Sequence, residues 1–231
     1  MNFEKCKNYL MICGILVVMI TVLYWYKSMD EEWNMAVNQS IANQGIKRIA
    51  LTFDDGPCDV EGGTDYLLDG LKEREVKVTF FVLGKSVEAN PELTKRMYEE
   101  GHLLGNHTYN HIDVAKGDYQ VVKQEILKTN QVVEACTGYQ MEYMRPPFGS
   151  WKKSLEKELK MFPVMWSVDS RDWIVQDTSQ IVEKVISNVD EDAIILMHDG
   201  YKTSADAAFI IIDNLKKEGY EFVTVDQILL D

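Results

Sequence analysis

From Ile46 onward the chain alternates short apolar runs rich in β-branched residues with longer stretches whose apolar positions recur every three or four residues. The runs KRIALTF (47–53), VKVTFFVL (76–83), 103–105, 143–145, VMWSV (164–168), AIILM (193–197) and 221–225 predict strands. Helical periodicity falls between them, at 62–73, 91–100, 117–135, 152–160, 178–188 and 204–218. YEEG at Gly101 and KKEG at Gly219 supply helix stops. Strict alternation of the two element types predicts an α/β fold with a parallel sheet or barrel, because each crossover helix must cover a sheet face. Seven strands fall one short of a regular eight-stranded barrel. In such folds chemistry gathers where strands end, at their C-terminal edge.

The first 45 residues break this pattern. Tyr9 to Tyr26 is uncharged and apolar, long enough for about 27 Å of helix. Tyr9 stands at one end and Tyr24, Trp25 and Tyr26 at the other, where headgroups would meet a spanning helix. Lys5 and Lys7 precede the run, and Asp30, Glu31 and Glu32 follow Lys27. YWYKSMDEEW offers no small-x-small cleavage site, so the reading is an uncleaved signal anchor. The expected organisation is a cytoplasmic N-terminus (1–8), a transmembrane segment (9–26), a stalk (27–45) with Trp33, Val37 and Ile41 on one helical face, and a catalytic domain (46–231). It places a single-pass protein in the cell membrane with its domain extracellular.

Composition narrows the choice. At 46% hydrophobic and 26% charged the chain is neither disordered nor fibrous. A net charge of -13 with no basic cluster disfavours nucleic acid as a partner. Nothing in the pattern calls for an obligate protein partner. Of four cysteines only Cys58 and Cys136 lie beyond residue 26, which excludes a disulfide scaffold and leaves room for one bridge.

The candidate chemistry starts at ALTFDDGPC (50–58). Two adjacent carboxylates, Asp54 and Asp55, end an apolar strand, and carboxylates resist burial unless paired or bound to a metal. GNHTYNH places His107 and His111 four apart, as a helical turn would present two rings to one ion. With Asp55 as third ligand this makes a His2Asp site for one divalent ion, zinc by default, with cobalt, nickel or manganese tolerated. Asp54 is then the carboxylate left to act as general base. His198, directly after AIILM, suits a general acid, with Asp172 of DSRDW to orient it. Arg145 begins RPPFG and its fork suits a buried carboxylate such as Asp54. Five strand ends each contribute a different polar role, and together they point to metal-assisted hydrolysis.

The motifs TFDDGP (52–57), HTYNH (107–111), RPPFG (145–149), DSRDW (169–173) and LMHDG (196–200) resemble, in order, those of the polysaccharide deacetylases of carbohydrate esterase family 4. The resemblance covers roughly residues 46–230 and implies a distorted (β/α) barrel with about seven parallel strands. It implies Asp54 as catalytic base, Asp55, His107 and His111 as metal ligands, His198 as general acid tuned by Asp172, and Arg145 steadying the base. Phe148 falls where the family uses a backbone N–H to help hold the oxyanion, and Trp173 and Leu196 match residues lining the groove and acetyl pocket. The implied activity is N-deacetylation of N-acetylglucosamine in an envelope glycan, peptidoglycan first. Chitooligosaccharide deacetylation, acetylxylan ester cleavage and a silent glycan-binding role are the alternatives. Cys58, directly after the first motif, is the main departure.

Overall fold

The computed structural model describes residues 18–30, 33, 35, 47–152 and 159–229. The chain divides into two compact units, Met1–Ile46 and Lys47–Asp231. In the first, residues 18–30 are helical and exposed. This overturns the membrane anchor: among the described residues no helix is long and apolar enough to cross a membrane. Residues 9–17 of the expected anchor, the N-terminal 1–8, and Val37 and Ile41 of the expected stalk lie outside the described residues. The single-pass extracellular placement rested on that anchor and falls with it.

The second unit is built on β1 (Lys47–Asp54), α1 (Thr64–Glu73), β2 (Thr79–Val82), α2 (Gly84–Ala89), α3 (Pro91–Glu99), β3 (Leu103–Asn106) and α4 (Tyr119–Thr137). It continues through β4 (Tyr143–Met144), a 3-10 turn at Pro147–Gly149, β5 (Phe162–Pro163), β6 (Val168–Asp169), α5 (Thr178–Ile186), β7 (Ala193–His198), α6 (Lys202–Lys217), β8 (Tyr220–Phe222) and α7 (Val225–Leu229). Seven strands form one row, β5-β4-β3-β2-β1-β7-β6, and β8 pairs the start of β1. Every pairing is parallel. The row's two ends, β5 and β6, are joined by residues 164–167 alone.

The seven expected strands appear with one change. VMWSV was one expected strand, whereas the structure leaves 164–167 unpaired as strand and sets β5 and β6 on either side. Pro163 explains part of this: it has no N–H to donate to a ladder, so it occurs at a strand edge. GKSVEA, not expected as a helix, forms α2. The expected helix at 152–160 lies largely outside the described residues. Gly101 and Gly219 do end their helices, at φ 83° and 85°, a conformation costly for any residue with a Cβ.

Period-2 alternation sorts the strand residues between two cores. Ile49, Leu51 and Phe53 of β1, Phe80 and Val82 of β2, Leu104 of β3 and Ile195 and Met197 of β7 share one cluster with Leu67, Leu71, Ile126, Ile181, Ile211 and Leu215 of the helices. Ala50 and Phe81 instead join Tyr143, Val164 and Val225 in a second cluster, against which Ile194 packs. The second face is therefore the concave one, turned away from α1, α4, α5 and α6, with Val225 of the short α7 packed against it. By the same alternation it receives Thr52 and Asp54 from β1, Leu196 and His198 from β7, and Arg145 after β4.

Candidate active site

Arg145 ties the concave face together. It is fully buried, and its Nη1 donates to Thr52 Oγ1 (2.6 Å) and Asp54 Oδ1 (2.8 Å). Its Nε and Nη2 donate to the carbonyls of Val164 and Met165, both at 3.3 Å, so one side chain spans from β1 to the segment that joins the ends of the row. Its guanidinium lies 4.2 Å from the Phe81 ring centroid. Burial pulls the Arg145 pKa down, opposed by the charge and hydrogen bond of Asp54.

Asp54 is 4% exposed. One oxygen faces Arg145, and the other, Oδ2, lies 3.7 Å from His107 Nε2. Asp55 then turns the chain with φ 76°, which swings its side chain away from the ladder. Its Oδ1 stands 3.6 Å from His107 Nε2 and 3.5 Å from His111 Nε2. These three residues are the group whose ligand atoms converge within 4.8 Å.

The histidine pair meets by a different route from the one its spacing suggests. Residues 107–111 form a loop after β3, not a helical turn, with Thr108 at φ 66° and His111 at φ 62°. His107 Nδ1 donates to the Arg145 carbonyl oxygen at 2.7 Å, because that oxygen can only accept. The tautomer is thereby fixed with an Nε2 lone pair toward Asp55. His111 packs edge-on against Phe148, ring centroids 4.7 Å apart. Burial lowers the His111 pKa, outweighing the opposing pull of Asp55, and so favours the neutral ring, the form able to ligate a metal.

A divalent ion fits these donors. Asp55 Oδ1 is shielded from solvent and has no hydrogen-bond partner. The separations of 3.5 and 3.6 Å exceed a hydrogen bond. They match the roughly 3.4 Å between tetrahedral ligands each about 2.1 Å from one zinc ion.

His198 stands beside Asp54 across the β1–β7 ladder. Its Nδ1 donates to Asp172 Oδ1 at 2.8 Å, and its backbone N–H donates to Asp172 Oδ2, also at 2.8 Å. Burial opposes the charge on this ring, but the Asp172 hydrogen bond and charge, with Asp54 and Asp55 beyond, push its pKa up to about 9. Asp172 is itself fully buried.

These groups floor a cavity of about 420 Å³, walled by Pro146, Phe148, Trp166, Trp173 and Leu196. All ten site residues expected from sequence except Arg145 and Asp172 line it directly, and those two support it from behind. Phe148 takes φ 62° and is 69% exposed at the mouth. Trp166, Asp169 and Pro146 also line the cavity and were not expected. Asp169 and Pro146 sit inside quoted motifs, whereas Trp166 was hidden by the strand reading of VMWSV. Cys58 is not among the converging ligands or the cavity lining. Burial first, then Asp199 and Asp59, raise its pKa, which keeps the thiol protonated. Cys58 and Cys136 are both free.

Asp199, beside His198, is a buried carboxyl that sequence reasoning passed over. Its Oδ2 accepts from Thr64 Oγ1 at 2.7 Å, and Thr64 Oγ1 accepts the Cys58 N–H at 2.7 Å. A Cβ at Gly56 would lie 2.0 Å from that same carboxylate oxygen, so glycine is what lets the DDGP turn close on β7.

Fold and site together define a candidate divalent-metal centre at the C-terminal edge of a curved parallel α/β sheet. The chain belongs to the polysaccharide deacetylase family, whose model matches residues 42–165. It is 45% identical over 182 residues to the peptidoglycan-N-acetylglucosamine deacetylase PgdA of Listeria monocytogenes, covering 79% of this chain and 39% of that one. The solved structure of the peptidoglycan deacetylase PdaC from Bacillus subtilis superimposes with a TM-score of 0.76 at 39% identity, over 80% of this chain and 90% of that one. A CE4 family pseudoenzyme from Bacillus anthracis matches with a TM-score of 0.73 at 28% identity, over 80% of this chain and 66% of that one. The chain spans about two fifths of the length of the Listeria relative.

Proposed function

We propose that this protein is a metal-dependent N-deacetylase that removes acetyl groups from N-acetylglucosamine of peptidoglycan. One observation carries the reading: Asp54 has one oxygen on Arg145 and the other turned to the Asp55, His107 and His111 cluster. A base, a ligand set and a charged histidine thus face a single cavity. Relatives named as peptidoglycan deacetylases support the substrate class.

Asp55 Oδ1, His107 Nε2 and His111 Nε2 would hold a divalent ion, zinc by the chemistry of the donors, and it would supply Lewis acidity toward water and the acetamide carbonyl. Asp54 accepts the proton of the attacking water, and the Arg145 hydrogen bond aims this carboxylate. The Phe148 N–H helps hold the oxyanion as the carbonyl carbon becomes tetrahedral. His198 Nε2 gives its proton to the departing nitrogen, the C–N bond breaks, and acetate and a free amine result. Asp172 holds His198 by both its ring and its backbone, which fixes the aim of the proton. Trp173, Trp166 and Leu196 wall the space for sugar and acetyl group.

The family also contains a pseudoenzyme, so membership alone does not supply catalysis. The deciding assay is acetate release from N-acetylated peptidoglycan fragments, compared with acetylated xylan and chitooligosaccharides, before and after chelation. Release from the peptidoglycan fragments, lost with chelator and restored by zinc or cobalt, is expected. Preference for xylan or chitooligosaccharide would move the substrate assignment, and no release from any of the three would leave a silent glycan-binding protein.

A further inference from the structure

We infer that Glu125, on α4, is a positioning residue that clamps the histidine loop and thereby sets metal affinity; the inference rests on the metal-dependent reading above. Glu125 touches neither imidazole. Its Oε2 accepts the backbone N–H of Tyr109 (3.1 Å) and of Asn110 (2.7 Å), and its Oε1 accepts from Asn110 Nδ2 (2.7 Å). All three bonds fall on the residues between His107 and His111, so one carboxylate grips the middle of the segment whose two ends bear ligands.

That grip is needed because the loop is strained. Thr108 and His111 both occupy the left-handed region, at φ 66° and 62°, where neither has the freedom of glycine. Such a conformation persists only when its surroundings over-determine it. Before His107, the alternation of β3 turns Asn106 outward to α4, where its Nδ2 donates to the Ile126 carbonyl (2.9 Å) and to Asn130 Oδ1 (2.8 Å). Asn106 Oδ1 accepts the Thr108 N–H at 2.7 Å. After it, Glu125 is the partner for the next two N–H groups. Thus α4 anchors the loop on both sides of the first ligand; Glu88 also accepts from the Tyr109 hydroxyl, but Glu125 is the carboxylate that takes the loop's backbone N–H groups, which makes its bonds the stronger hold on the backbone. Loss of this grip lets His111 drift from Asp55 without removing any ligand atom.

The test measures cobalt(II) binding to the full chain by calorimetry and by the visible absorption of the bound ion, with deacetylation followed in parallel. Glu125→Ala is expected to weaken cobalt binding about 10- to 100-fold, the range seen when outer partners of metal ligands are removed. Glu125→Gln is expected to fall between, since its amide oxygen still accepts two N–H groups without the charge. Glu134→Gln, on the same helix and bonded to Gln140, is the control and keeps wild-type affinity. Saturating cobalt is expected to return the kcat of Glu125→Gln to the wild-type value, which a general loss of fold would not allow. Should Glu125→Ala fail to fold, Glu125→Gln decides. Affinity within twofold of the control for the folded variants overturns the clamp. A wild-type chain that binds no cobalt overturns the metal-dependent reading itself, and the clamp with it.

Discussion

His198 shows how far one neighbour sets a residue's chemistry. In water an imidazole titrates at about 6.5. Here burial works against the charged ring, yet Asp172, bonded to its Nδ1 and its N–H, with Asp54 and Asp55 nearby, lifts the pKa to about 9. The ring is therefore a proton donor at neutral pH. A raised folded-state pKa contributes stability that is complete below about 6.5 and fades as pH rises through 9. For catalysis, kcat/KM should fall on the alkaline side as His198 loses its proton, no higher than about 9, since an ion at Asp55 cancels one of the lifting carboxylates. Asp172→Asn removes the main support and should move this limb down by about 1–3 units. A pH–rate profile whose alkaline limb stays in place would remove His198 from the role of acid. Asp54→Asn should abolish acetate release, because the amide cannot take the proton from water, while Arg145 is left buried opposite a neutral group at a cost of about 3–5 kcal/mol.

At the scale of elements, the strand alternation explains why motif residues far apart in the chain share one face. The same period that buries Ile49, Leu51 and Phe53 under helices sends Thr52 and Asp54 to the concave face, and the same period in β7 sends Leu196 and His198 there. This much was legible in ALTFD and ILMH. The histidine loop was not, because i,i+4 spacing fits a helical turn and nothing local shows that two left-handed residues replace it. Glu125 and Asp199 were also illegible: their partners lie 15 and 135 residues away, in Asn110 and Thr64. Asp199 joins three elements, β7 through its neighbour His198, α1 through Thr64 and the β1 turn through Gly56. Burial above all, with Asp55 adding to it, raises its pKa to about 7, against the opposing pull of Thr64 and His198. The folded chain thus binds a proton there that the unfolded chain has released between about 4 and 7, so Asp199 makes stability fall as pH rises through that window. Asp199→Asn keeps an oxygen for Thr64 but cannot ionise. In chelator-treated protein, the urea midpoint of the variant should gain on the wild type between pH 5 and pH 8. An equal difference at both pH values would mean that Asp199 is ionised throughout.

For the whole molecule the sheet's curvature and the metal site are one problem. Arg145 bridges β1 to the segment between β5 and β6, and its carbonyl fixes the His107 tautomer, so the residue that draws the barrel together also orients a candidate ligand. An ion drawing on β1, the loop after β3 and, through His107, the end of β4 should therefore stabilise the unit as a whole and not one loop. Zinc at 100 times its dissociation constant contributes about 2.7 kcal/mol to the folded state, or about 5–11 °C in Tm for a chain of this size. His111→Ala should lose most of that gain because a ligand is gone. Asp54→Asn should keep it, since Asp54 faces Arg145 and the attacking water, not the ion. Differential scanning calorimetry with zinc and with chelator separates these cases. A wild-type Tm unmoved by zinc would show that the Asp55, His107 and His111 cluster does not hold the ion, whereas an Asp54→Asn variant that also loses the gain would make Asp54 a ligand and leave the attacking water without its base.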